Sequence, residues 1–93
     1  MQKHTTVYMK YFDYGIEDFI PCDCCGPEHR AVDIHHLNGR GKDKDVIENL
    51  IALCRDCHVF AHSSKEFNNK LKDMWKKCID TNQFPHHSEF HSR

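Results

Sequence analysis

The sequence predicts a small α+β domain stapled by a structural zinc ion and finished by an amphipathic helix. Three observations carry that expectation. Two Cys-x-x-Cys pairs, Cys22/Cys25 and Cys54/Cys57, stand 28 residues apart, too far for a compact finger loop, so something folds between them. Two short β-prone runs, Ala31 to His35 and Leu50 to Leu53, fill that need. Beyond the second pair, Phe67, Leu71, Met74, Trp75, Cys78 and Ile79 recur at helical spacing and form one apolar stripe.

Ninety-three residues make a single domain (1–93), short enough that a metal staple would replace missing core. Hydrophobic residues are 39% and charged residues 29%, which places the chain among ordinary globular domains. No apolar run reaches membrane-spanning length, and the first residues lack the apolar core of a signal peptide. A cytoplasmic, reducing location is therefore expected, in which the six cysteines serve as metal ligands rather than disulfides. Net charge is −1, which is not the footprint of a strongly basic nucleic-acid binder. The basic excess lies in residues 51–93, so a nucleic-acid partner is permitted by charge without being argued for by it.

Residues 1–20 are an aromatic extension containing Tyr8, Tyr11, Phe12, Tyr14 and Phe19. Val7 to Phe12 fits a helical turn or a short strand equally well, and Ile16 to Ile20 reads as one helical turn before Pro21. The expected role of these aromatics is to cover the metal module and extend a small core, with base stacking by Tyr8 or Tyr11 as the competing role. Residues 21–62 form the core. Its first knuckle uses Cys22 and Cys25, with Gly26 supplying the permissive backbone after them and Cys24 as a bystander thiol. Asn38 to Asp45 is a polar loop whose Arg40 and Lys42 are either solvated or placed to touch phosphates. A helix should begin near Cys57, where His58 and His62, four apart, share a face. A capping box from Ser63 to Glu66 should start the last helix, within residues 63–82. Lys65, Lys70, Lys72, Lys76 and Lys77 occupy its other faces, as a solvated surface or a DNA-backbone contact. Residues 83–93 are polar and hold three His, and a loose tail with adventitious metal affinity is expected.

The imidazoles between and after the cysteines are surplus to a four-thiolate site. His35, His58 and His62 can ligate one divalent cation and leave positions open for water and substrate. On a regular strand His36 faces away from His35 and is free to act as a general base, with Asn49 as the group that steadies it. Phosphodiester hydrolysis needs that set: a base near neutral pH, a cation on the developing charge, and a positioning group.

The residues Cys22, Cys25, Asp33-Ile34-His35-His36, Asn49-Leu50, Leu53-Cys54, Cys57-His58 and His62 resemble the HNH endonucleases of the His-Me finger superfamily, in their zinc-stapled subtype. The resemblance covers residues 21 to about 62. It implies a ββα-metal, treble-clef-like fold and metal-dependent cleavage of DNA with one divalent cation, Mg2+, Mn2+, Ni2+ or Zn2+, besides the structural zinc. By that match His36 takes the general-base position, His35 and His58 take metal-ligand positions, and Asn49 steadies the base and its loop. His62 matches a position that serves as a further ligand or a phosphate contact, and Arg40 lies where some members bind phosphate. Asp33 has no fixed catalytic role by the match. The weak basicity departs from the pattern and suggests targeting by a larger phage or mobile-element assembly. The rival expectation is a catalytically silent zinc-binding module that binds nucleic acid or protein. Intact His36, Asn49 and His58 speak against it, because binding alone does not need all three.

Overall fold

The computed structural model describes residues 2–87. It is a small α+β arrangement of three helices and two short antiparallel sheets around one core. The chain opens with helix α1 (Lys3–Tyr11). Strands β1 (Pro21–Cys22) and β2 (Gly26–Arg30) then pair across the first knuckle, and β3 (Asp33–His36) pairs with β4 (Leu50–Leu53). Helices α2 (Arg55–Ser63) and α3 (Lys65–Thr81) follow, and a 3-10 turn at Pro85–His87 ends the described chain. Among the described residues, no helix is long and apolar enough to cross a membrane.

The segment Val7 to Phe12, ambiguous in the sequence, is helical through Tyr11. Its aromatic face is decided by burial: Tyr8 is fully buried, and Phe12 and Tyr14 are buried with it. Base stacking by Tyr8 is thereby excluded, and Tyr11 packs its ring edge-on to Phe12 and Phe84. Residues 16–20 do not form the expected helical turn. Asp18 donates its backbone N–H to Gly15 O and accepts from Gly15 N–H with its carboxylate, which closes a single tight turn and leaves no bond to propagate.

The strand expected over residues 31–35 is displaced to Asp33–His36. Ala31 N–H is already taken by Ile20 O, an extension of the first hairpin, so the central ladder starts later. The register pairs His35 with Ile51 and His36 with Leu50. Leu50, Ile51, Ala52 and Leu53 are all fully buried, so β4 is the centre of the core. The β1–β2 hairpin was not expected from the sequence, because a two-residue strand carries no alternation to read.

Helix α2 begins at Arg55, two residues before the expected start. The Cys-x-x-Cys knuckle is itself the first helical turn, with His58 N–H bonded to Cys54 O at 2.9 Å. Helix α3 is capped by Ser64, not Ser63: the Ser64 hydroxyl accepts from Phe67 N–H, while Ser63 closes α2 by donating to Phe60 O. Its stripe docks as expected, with Leu71 and Trp75 buried and Phe67, Met74, Cys78 and Ile79 packed at the margin. A buried side chain of Leu size contributes about 1.5–3 kcal/mol. The Trp75 indole also donates to Ile47 O at 2.8 Å, tying α3 to the residues that lead into β4. Lys70 and Lys76 pair with Glu66 and Asp80 one turn away, as on a solvated helix face. Asn82 ends the helix in the left-handed conformation.

The expectation of a loose tail fails for residues 84–87. Phe84 and His87 are buried, and His87 Nε2 meets the Asp23 carboxylate inside the core. The sequence carried no sign of burial here because a polar His pair is ambiguous without knowledge of its partner. Residues 88–93, the remainder of that expected tail, lie outside the described residues.

Candidate metal centres and active site

The four knuckle cysteines converge. The Sγ atoms of Cys22, Cys25, Cys54 and Cys57 all lie within 4.8 Å of one another. A tetrahedral site with Zn–S of about 2.3 Å has sulfurs roughly 3.8 Å apart. Cys25 Sγ sits 3.8 Å from Cys54 Sγ and 3.1 Å from Cys57 Sγ. Cys25 N–H points at Cys22 Sγ at 3.3 Å, the local turn that aims both thiols inward. Gly26 has φ of +102°, and a Cβ there would press on the His86 ring at 3.2 Å, so both backbone and space call for glycine. Burial, then the Cys25 and Cys54 sulfurs, push the Cys57 thiol pKa up. Such crowding opposes four bare thiolates and is relieved by a cation. The group is close enough to hold a structural metal such as zinc. Cys24 is half-buried and outside the four.

Asp23, between the first two ligands in sequence, anchors the knuckle to the rest of the chain. Its buried carboxylate accepts from Tyr8 Oη at 2.7 Å and from Ala52 N–H at 2.8 Å, and it meets His87 Nε2. His87 Nδ1 in turn bonds Tyr14 Oη, and its ring stacks on Phe12 at 4.2 Å between centroids. Burial and the adjacent Asp23 hold the Tyr8 hydroxyl far above its usual pKa, so it stays a proton donor.

The second cluster is built on the strand–helix junction. His35 comes from β3, and His58 and His62 come one turn apart from α2. Their ring centroids are 5.2, 5.1 and 4.6 Å apart, and one nitrogen of each lies within 4.8 Å of the others. His58 Nε2 and His62 Nε2 face each other at 3.1 Å. The opposite nitrogen of His58, Nδ1, lies 3.5 Å from Asp33 Oδ2. His35 Nε2 bonds Asn68 Oδ1 at 2.8 Å, and Asn68 Nδ2 donates to Leu37 O, which fixes the amide orientation. With Nε2 donating, Nδ1 of His35 is left as its ligating nitrogen. Carboxylate or amide partners on the far side of ligand imidazoles are the usual support of a metal site. Burial is the main force lowering the pKa of His35 and of His58, so both favour the neutral, ligating form. The donor set therefore suits a borderline divalent cation.

His36 projects from the opposite face of β3, as strand alternation requires. It is buried, its ring lies 4.6 Å from that of His4, and its Nε2 bonds Asp45 Oδ1 at 2.8 Å. Its hydrogen bond to His36 holds the Asp45 carboxyl below the usual range. A carboxylate accepting from Nε2–H leaves Nδ1 as the basic nitrogen of the ring. Asn49 is buried in the hairpin connection, where Oδ1 accepts from Asn38 N–H and Nδ2 donates to Gly39 O and Lys44 O. It holds the loop, and Asp45 holds His36. An open cavity of about 240 Å³ touches Ile34, His35, His36, Gly39, Arg40, His58 and His62. That is room for a cation with waters and one further polar group. Lys42 is exposed and is not among the residues lining it.

Sequence reasoning brought together His35, His36, His58 and His62 and missed their supports, Asp45, Asn68 and His4. Asp45 and Asn68 are ordinary polar residues in a loop and on a helix, and only the folded contacts distinguish them. Comparison with protein-family models, with curated proteins and with solved structures returned no match.

Proposed function

We propose that this domain is a metal-dependent HNH endonuclease that hydrolyses DNA phosphodiester bonds. One observation carries the reading: three imidazoles from β3 and α2 converge beside a carboxylate-held fourth, His36, around one open cavity. The succession of β3, β4 and α2 agrees with the strand–strand–helix order that the ββα-metal resemblance implies.

A divalent cation held by His35, His58 and His62 would stabilise the charge developing on the phosphate and on the leaving oxygen. His36 takes a proton from water at Nδ1 while Asp45 keeps the ring in the tautomer that can accept it. The hydroxide so formed attacks phosphorus in line. Asn49 keeps the loop that carries Asp45 in place through its two backbone acceptors. Arg40, exposed at the cavity wall, is positioned to meet a phosphate oxygen. By the resemblance, products carry 5′-phosphate and 3′-hydroxyl ends.

The net charge of −1 favours a nuclease directed to DNA by a larger phage or mobile-element assembly, and the rival reading is a zinc-stapled binding module without catalysis. Plasmid cleavage with a titration of divalent metals, wild type against His36→Ala, decides between catalysis and binding. Metal-dependent nicking that vanishes in the variant supports the nuclease. Equal rates in the two proteins overturn it.

A further inference from the structure

We propose that His4, His36 and Asp45 form a second divalent-cation site, selective for a borderline metal such as Zn2+, whose filling disables His36 as a base. The switch rests on the nuclease reading; the site does not.

Three separate elements supply the ligands: α1, β3 and the connection between β3 and β4. One ligating atom from each lies within 4.8 Å of the other two. His36 and Asp45 are already in contact at 2.8 Å. The His4 and His36 rings are 4.6 Å apart and tilted by 57°, so they do not lie face to face as a stacked pair would. His4 is only 5% exposed, yet its ring forms no hydrogen bond among the described residues. No fully buried side-chain nitrogen among the described residues is left unpaired, so the His4 ring nitrogens retain some contact with solvent. A nearly buried imidazole that makes no hydrogen bond among the described residues, with a ring nitrogen within 4.8 Å of a histidine–aspartate pair, has its lone pair available to a cation.

Two imidazoles and one carboxylate are a three-ligand set of the open zinc type. Mg2+ prefers oxygen ligands and dehydrates reluctantly, so it should leave this site empty. The consequence for His36 follows from its tautomers. Without the ion, Nε2 carries the proton and donates it to Asp45, leaving the Nδ1 lone pair as the base. With Nε2 bonded to the cation, the neutral ring must carry its proton on Nδ1. Ring charge is unchanged, the proton moving from Nε2 to Nδ1 through solvent, and the basic lone pair is gone. One ion thus serves cleavage while another, on the opposite face of the same strand, stops it.

The test has a binding arm and an activity arm. For binding, the full chain with its cysteine site loaded carries His58→Ala and His62→Ala to remove the three-histidine cluster. Equilibrium dialysis against Zn2+ should show one further equivalent per chain. Adding His4→Phe keeps a packed ring but no ligand, and adding Asp45→Asn removes the carboxylate. Each should abolish that equivalent or weaken it more than about tenfold, since losing even an outer partner of a ligand costs about 10–100-fold. Uptake unchanged by both substitutions, with circular dichroism confirming the fold, overturns the site. For activity, plasmid cleavage supported by Mn2+ is titrated with Zn2+, each protein scaled to its own maximum. Wild type should be suppressed and His4→Phe should resist. Equal suppression of both overturns the switch. A wild type that shows no cleavage with any of the divalent metals overturns the nuclease reading and the switch with it, while the dialysis result still decides the site.

Discussion

Helix α2 serves two clusters of opposite character. Cys57 points into the group of four sulfurs, and His58, the next residue, joins the group of three imidazoles. In the first cluster Cys22, Cys54 and Cys57 are buried, and four donors leave a tetrahedral ion no free position. In the second, the three donors run from buried His35 through half-buried His58 to exposed His62, and the cavity lies against them. One helical step of about 100° separates a closed site from an open one. Ligand count and exposure, more than ligand identity, divide a site suited to holding the fold from one with room for a further ligand.

Five experiments sharpen or break that division. The largest effect should come from the sulfur side. A structural zinc contributes on the order of 10–16 kcal/mol to small modules of this kind. Chelation, or Cys57→Ser, should therefore unfold the domain, seen as loss of the circular dichroism signal together with one zinc per chain by metal analysis. A folded, metal-free protein under reducing conditions would contradict the closed-site assignment.

On the histidine side the fold should survive while chemistry is lost. His36→Ala should slow plasmid cleavage by about 10²–10⁴-fold, the usual cost of a general base, and keep its structural zinc. Asn49→Ala, which frees the loop without removing the base, should be damaging but milder. His58→Ala should act through affinity, so that raising the divalent-metal concentration restores part of the rate. A rate that is insensitive to metal in this variant would separate His58 from the cation. The smallest effect is expected at Asn68→Ala, where only the orientation of His35 is lost. Metal binding at the three-histidine cluster should weaken by about 10–100-fold, measured by competition with a chelating dye.

Much of the centre of this molecule was legible in the sequence, for a physical reason. Ligand spacing constrains geometry strongly, so Cys22, Cys25, Cys54, Cys57, His35, His58 and His62 fall into the two expected groups. Strand alternation likewise put His36 on the opposite face from His35. The boundaries were less legible. Ala31 looked like strand and was claimed by Ile20; Ser63 looked like a cap and was displaced by Ser64. Long-range polar partners left no trace in the sequence. Nothing local connects Asp45 to His36 or Asn68 to His35, because each bond depends on how separate segments pack. The C-terminal end misled most. Expected to be loose, it adds Phe84 and His87 to the core, where His87 closes on the same carboxylate as Tyr8 of the aromatic extension.

That shared carboxylate has a consequence for how the chain comes apart. Asp23 stands inside the first knuckle and receives α1 through Tyr8, the central strand through Ala52 and the final turn through His87. An ion leaving the four sulfurs would free the knuckle and, with it, the common anchor of all three. Both ends of the described chain should then become cleavable by protease together, at the one zinc-buffer concentration at which the circular dichroism signal is lost.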